Sequence, residues 1–156
     1  MKIKFITISL VVIALCLVTS CTAQQKKIEV YSFSGENDFV EINNGIIIIT
    51  DELEKFIGGD LSFKGDELSD VKYSVTKFYF YKDGAETVIQ NNVVSIEGTS
   101  EGENISPDMG SSSSTTLFNA EDWSLIKKSL NFSLSGLFMN GESFEYNIVL
   151  EVKEVY

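Results

Sequence analysis

Apolar and polar residues alternate over residues 130–153. Phe144, Tyr146, Ile148, Leu150 and Val152 hold the even positions, and Glu145, Asn147, Val149, Glu151 and Lys153 the odd ones. Leu130, Phe132, Leu134 and Phe138 alternate in the same way with Asn131, Ser133 and Ser135. A period of two puts each set on one face of a strand, one face buried and one wet, as in an antiparallel sheet. Parity also fixes the turn between the two runs. A two-residue Asn140-Gly141 loop would set Leu134 against Asn147 and turn one apolar set to solvent. A three-residue loop of Met139, Asn140 and Gly141 sets Phe138 against Glu142 and Leu134 against Tyr146. That loop is the expectation, with Gly141 at positive φ as a bulge residue.

Seven further runs rich in Val, Ile, Phe, Tyr and Thr read as strands: Ile28–Phe33, Asp38–Ile42, Gly45–Thr50, Leu61–Lys64, Val71–Lys82, Ala85–Gln90 and Val93–Glu97. Asn-Gly, Asp-Gly and Gly-Gly pairs punctuate them. Val71–Lys82 breaks the pattern, because Val71, Tyr73 and Val75 alternate but Phe78, Tyr79, Phe80 and Tyr81 run together. Either a bulge near Thr76 shifts the phase or the second half is covered on both sides. Two short helical turns are expected. Asp51–Phe56 carries Glu54 three residues after Asp51, like a capping box. Ala120–Lys128 follows Asn119 as N-cap, with Glu121 and Asp122 at its positive end and Lys127 and Lys128 at its negative end. Residues 99–114 hold the only Pro and four consecutive Ser, and read as a loosely held loop. The expected fold is all-β: one immunoglobulin-like antiparallel β-sandwich of about 7–9 strands, with a small β-barrel as the alternative.

The first residues follow another rule. Lys2 and Lys4 precede a run of fourteen mostly apolar residues, Phe5–Val18, and then small residues. A charged start, an apolar run and small residues form a secretory signal. As a helix the run covers about 21 Å, short of the ~30 Å hydrocarbon core, which favours a cleaved signal over a transmembrane anchor. Val18-Thr19-Ser20-Cys21 resembles the lipobox of bacterial lipoproteins, in which the Cys carries a diacylglyceryl group and the preceding peptide is removed. That family prefers Leu, Ala, and Gly or Ala before the Cys; Val, Thr and Ser stand there here. The resemblance implies lipidation of Cys21 and a place at the extracytoplasmic face of a bacterial cell membrane. Residues 1–20 are then the signal, 21–27 the lipidated Cys and a short tether, and 28–156 the domain. The domain is also similar to uncharacterised immunoglobulin-like lipoproteins, through Tyr31-Ser32-Phe33-Ser34-Gly35, Gly59-Asp60-Leu61 and Asn140-Gly141 leading into Tyr146-Asn147-Ile148. Those patterns mark turns and strands, and imply fold and location only.

Composition narrows the chemistry. The 156 residues include 12 Lys, no Arg, no His and 23 acids, a charge of −11. Removing residues 1–20 takes two Lys and no acid, leaving ten against 23, or −13. Such a surface is not built for nucleic acid, whose affinity comes from Lys and Arg on phosphates. Without His the chain lacks the usual general base and the commonest metal ligand. Cys16 leaves with the signal and Cys21 is consumed by lipid, so the mature chain has no thiol and no disulfide. Thr22–Lys27 reaches about 20 Å when extended, which keeps the domain close to the membrane. Lys26 and Lys27 would face anionic headgroups, or serve simply as a soluble linker.

Candidate sites are few. Asp60, Asp66, Glu67 and Asp70 cluster in sequence without the spacing of a calcium loop, and read as a solvated acidic segment. Ser69–Lys72, Ser74–Lys77 and Ser124–Lys127 match a Ser-x-x-Lys spacing. In a strand, positions i and i+3 point to opposite faces, so only the last could form a dyad. No metal, cofactor or catalytic residue is expected. The aromatics are the remaining lead. Tyr79 and Tyr81 would face outward if Phe78 and Phe80 face the core, and Trp123 is either a core plug or a contact residue. The expectation is a membrane-anchored, non-enzymatic interaction module. It would contact an envelope protein or wall glycan through strand faces, strand edges or the 99–114 loop, with Tyr79, Tyr81 and Trp123 as the candidate surface. An inhibitor or immunity lipoprotein against a basic lytic protein or cationic peptide is the alternative.

Overall fold

The computed structural model describes residues 27–64, 71–95 and 108–156. Among the described residues nine strands and one helix form, in chain order: β1 (Ile28–Glu36), β2 (Val40–Thr50), β3 (Glu54–Ile57), β4 (Asp60–Phe63), β5 (Val71–Lys82), β6 (Ala85–Ser95), β7 (Ser111–Ser114), α1 (Ala120–Ser129), β8 (Leu130–Phe138) and β9 (Ser143–Glu154). The protein is all-β, with every ladder antiparallel. The strands make a single path, β6-β5-β8-β9-β1-β2-β3-β7, with β4 also paired to β2. One long strand joins the two halves of this path: Ser143–Leu150 of β9 pair with β8, and Glu151–Glu154 pair with β1. The path curls until it is nearly closed. Of the two expected architectures, it matches the small barrel; a continuous sheet takes the place of two separate sandwich layers.

The last hairpin has the expected register. Leu134 opposes Tyr146, the Phe138 N–H donates to the Glu142 carbonyl at 2.8 Å, and Gly141 has φ +88°. The even positions of β8 and β9 accordingly supply Leu130, Phe132, Leu134, Phe144, Ile148 and Leu150 to the core.

Bulges explain where the sequence pattern broke. Asp38–Ile42 and Gly45–Thr50 belong to one strand, bent where Asn43 and Asn44 both oppose Ser34 of β1. Asn44 takes φ +58° there, and the inward parity changes from Val40 and Ile42 to Ile47. Ala85–Gln90 and the described part of Val93–Glu97 also merge, with Ile89 as the extra residue between Val88 and Gln90. In β5 the phase shift lies between Val71 and Tyr73 rather than near Thr76. Beyond it Ser74, Thr76, Phe78 and Phe80 point inward.

Two local expectations are corrected. Asp51–Phe56 is not a helical turn. The Thr50 hydroxyl accepts the Leu53 N–H at 2.8 Å and closes a turn that feeds β3 directly, and Glu54 instead accepts the Phe118 N–H at 2.6 Å. Residues 111–114, expected in a loose loop, form β7 against β3; a serine run has no apolar signature, but its backbone completes an edge. Residues 99–107 lie outside the described residues. The second expected turn is the helix α1, capped by the Asn119 side chain accepting the Asp122 N–H at 2.8 Å.

The core lies on the barrel axis. Phe33 of β1, Phe56 of β3, Phe78 of β5 and Phe132 of β8 come from opposite walls and meet. Phe78 is 5.8, 5.1 and 5.0 Å, centroid to centroid, from Phe33, Phe56 and Phe132. The helix α1 adds Ile126, fully buried, to the same core cluster. Among the described residues β6 and β7, the two ends of the path, share no backbone ladder. Side chains bridge this seam. The Gln90 amide donates to the Met109 carbonyl, Asn92 Nδ2 donates to the same oxygen at 3.0 Å, and Ser112 Oγ donates to Gln90 Oε1 at 3.2 Å.

One inward polar group has no such partner. Ser74 is buried and its hydroxyl makes no hydrogen bond. A buried hydroxyl without a partner costs roughly 1–3 kcal/mol, so Ser74→Ala is expected to stabilise the domain by about 1 kcal/mol once lost packing is offset. A lower melting temperature for this variant would show that the hydroxyl is satisfied.

Candidate functional site

The outward face of β5 and β6 carries an exposed apolar surface that strand register assembles. Directly paired residues of an antiparallel ladder share a face. The register therefore places Val88 beside Tyr79, Asn91 beside Lys77, Val93 beside Val75 and Glu86 beside Tyr81. Tyr73, Tyr81, Val88 and Val93 are all exposed, Val93 at 68%. One ion pair crosses the face, Lys77 Nζ to Glu86 at 2.5 Å, and the same ammonium lies 4.8 Å from the Tyr79 ring centroid. Next to β5 the outward positions of β8 are small, Asn131 and Ser133, and the taller flanking rows bury them. Val149 of β9 stands exposed beyond them.

The two sequence-singled tyrosines divide the work on this face. Tyr81 is 49% exposed, but Tyr79 only 6%, since Tyr81, edge-on at 5.6 Å, and Lys77 cover it. Tyr81 therefore presents the exposed ring of this pair, and Tyr79 packs beneath it. The structure does not bring Trp123 to them. Its ring sits 4.5 Å from Tyr31 and 6.0 Å from Phe118 against the core, with Lys127 Nζ 5.4 Å above it. Cys21 lies outside the described residues. Sequence reasoning missed Val88 and Val93, because the extra residue Ile89 puts them out of phase within one strand.

The remaining candidates disperse. Ser74 points inward, while Lys77 pairs with Glu86 on the outside. Ser124 donates to the Glu121 carbonyl at 2.9 Å, and Lys127 is held over aromatic rings, so neither described Ser-x-x-Lys pair forms a dyad. Ser69 lies outside the described residues, as do Asp66, Glu67 and Asp70. Asp60 accepts from Asn44 Nδ2 at 2.7 Å. Among the described residues no three His, Cys, Asp or Glu gather as a metal site. A shallow depression of about 140 Å³ beside β3, lined by Lys55, Ile57, Asp108, Gly110 and Ser111, is well below the ~300 Å³ of a typical small-molecule site.

Two tyrosines make the domain sensitive to alkali. Burial pushes the Tyr79 phenol up to about 12, with help from the Tyr81 hydrogen bond. Burial raises Tyr31 to about 12 as well, reinforced by its hydrogen bond to Glu29, 2.9 Å away. Above pH ~10 the unfolded chain releases these protons while the folded domain keeps them, so stability falls as pH rises. The melting temperature should be level up to about pH 10 and drop steadily towards about 12. In Tyr31→Phe the slope should be shallower; an unchanged slope would remove Tyr31 from this account. Comparison with protein families, curated proteins and solved structures finds no match to the chain.

Proposed function

We propose that this chain is a lipid-anchored, extracytoplasmic interaction module that holds an envelope protein on the outward β5–β6 face. The lipobox-like Val18-Thr19-Ser20-Cys21 supports the anchor. The observation that carries the binding reading is the exposed row of Tyr73, Tyr81, Val88 and Val93 around a single ion pair. In a chain of −13, solubility alone does not call for apolar residues there. Aromatic and apolar side chains with few charges form the centre of protein contacts. A protein fits this face better than a wall glycan, because the polar floor of Asn131 and Ser133 is covered.

The test has two parts. Cells fed a fatty-acid analogue should label the wild-type chain and not Cys21→Ala, which should also leave the membrane fraction. Label retained by Cys21→Ala rejects the anchor. The full chain, solubilised and tagged, is then exposed to envelope extract at about 0.15 M and 0.5 M salt, which shortens the Debye length from about 8 Å. A partner kept at both salts, and lost in Val93→Asp and Tyr81→Ala with unchanged melting, is the expected result. Loss of an apolar anchor should weaken binding about 10-fold or more. Basic proteins held only at low salt would favour an inhibitor of cationic lytic proteins.

A further inference from the structure

A second exposed apolar group lies where the chain leaves for Cys21. Three neighbouring strands end side by side there. Ile28 opens β1 opposite Thr50, the last residue of β2. Beyond β9, Tyr156 and Val155 remain bonded to Val30: Val30 N–H to the Tyr156 carbonyl at 2.7 Å, Val155 N–H to the Val30 carbonyl at 2.8 Å. Leu53 is fixed beside them by the turn in which Thr50 N–H donates to the Leu53 carbonyl at 2.9 Å. Each strand end therefore carries an exposed apolar side chain, Ile28, Leu53, Val155 or Tyr156, the last 76% exposed.

The tether decides what covers them. Thr22–Lys27 spans about 20 Å when extended, whereas the far pole is one strand length further, about 30 Å for the nine residues of β8. A lipidated Cys21 therefore keeps this pole close to the bilayer and leaves the far pole out of reach. A tether this short keeps the pole at millimolar effective concentration near the lipid, so even a weak contact is populated. Charge does not supply that contact. Lys27 pairs with Glu29 at 2.6 Å, and Asp51 and Glu154 lie near the same ammonium. Tyrosine and aliphatic side chains suit the boundary between headgroups and acyl chains.

We infer that Ile28, Leu53, Val155 and Tyr156 are a membrane-seating surface, dipping into the lipid interface so that the barrel stands on its tethered pole. This rests on the anchored reading above. The strands then rise from the membrane, and the β5–β6 face is presented sideways to a partner in the envelope.

Depth-dependent quenching tests it. The full chain, lipidated in a bacterial host, carries a fluorophore on Leu53→Cys, on Tyr156→Cys, or on Met139→Cys at the opposite pole. It is reconstituted in neutral phosphatidylcholine vesicles containing a lipid quencher. Fluorophores at 53 and 156 should be quenched several-fold more than at 139, equally at low and high salt. Equal quenching at all three positions, with the chain floating on vesicles, overturns the seat and leaves the anchor standing. Quenching that appears only with anionic lipid and disappears in salt also overturns it, because the contact is then electrostatic. A chain that does not float rejects the anchor itself, and the seat with it.

Discussion

Gly59→Ala is expected to cost about 3 kcal/mol or more and to lower the melting temperature by about 10 °C. Gly59 has φ +78°, and an added Cβ would lie 2.1 Å from the Asn43 carbonyl oxygen and 2.6 Å from the Gly45 nitrogen. Both obstacles are backbone, at the bend that gives β2 its change of phase. The turn cannot retreat easily. Gly58 N–H donates to the Gly110 carbonyl and Met109 N–H to the Gly59 carbonyl, each at 2.9 Å. Moving Gly59 would pull β3 and β4 away from β2 and disturb the segment that closes the seam. Gly84 and Gly141 supply the comparison. They have φ +78° and +88°, but an added Cβ there meets nothing within 4 Å. Their alanine variants should lose only the left-handed backbone strain, about 1 kcal/mol. Chemical denaturation of the three variants separates the terms. Three equal losses would mean that backbone strain alone matters and that β2 is not closely approached at Gly59.

The same bend shows what sequence reading can and cannot reach. The β8–β9 hairpin was legible down to its register, because an uninterrupted period of two leaves one loop length that keeps both apolar sets on one face. Where a bulge adds one residue, the period survives on each side with opposite parity, and one strand reads as two. That split β2 at Asn43-Asn44, and in β6 it hid Val88 and Val93, the residues that enlarge the candidate site. Two short strands were illegible for a different reason. Asp51 and Glu54 have the spacing of a capping box, but the Thr50 hydroxyl reaches the turn first. Ser111–Ser114 carry no apolar side chain, so only the backbone edge of β3 defines them as β7. The sequence put Tyr79 and Tyr81 outward on condition that Phe78 and Phe80 face the core; those two are buried, Tyr81 is exposed, and Tyr79 is buried as well. Their unequal exposure depends on Lys77 and on each other across the strand surface, which no linear pattern records.

Phe78→Ala should be among the most damaging core substitutions, at about 3–5 kcal/mol. Phe78 is 1% exposed and touches rings from three other strands, 5.8, 5.1 and 5.0 Å away. Removing it opens a void on the axis, where Phe33, Phe56 and Phe132 are fixed by separate ladders and cannot collapse together. Phe78 also sits opposite Gln90, next to the Ile89 bulge, and Gln90 bridges the seam to Met109 and Ser112. Its loss therefore loosens the place where, among the described residues, side chains rather than a backbone ladder hold the barrel shut. Phe39→Ala is the matched control: Phe39 is exposed and stacks on Tyr146 at 4.8 Å, so about 1 kcal/mol is expected. A Phe56→Ala/Phe78→Ala double mutant tests the shared axis, since contacting rings should couple by about 0.5–1.5 kcal/mol. Strict additivity would show that the two rings relax independently and that the opposite walls do not meet through them. Hydrogen exchange offers a second view of the same variant. If the seam depends on Phe78, amides of β6 and β7 should lose protection before those of the β8–β9 hairpin, whose ladder and turn stay intact.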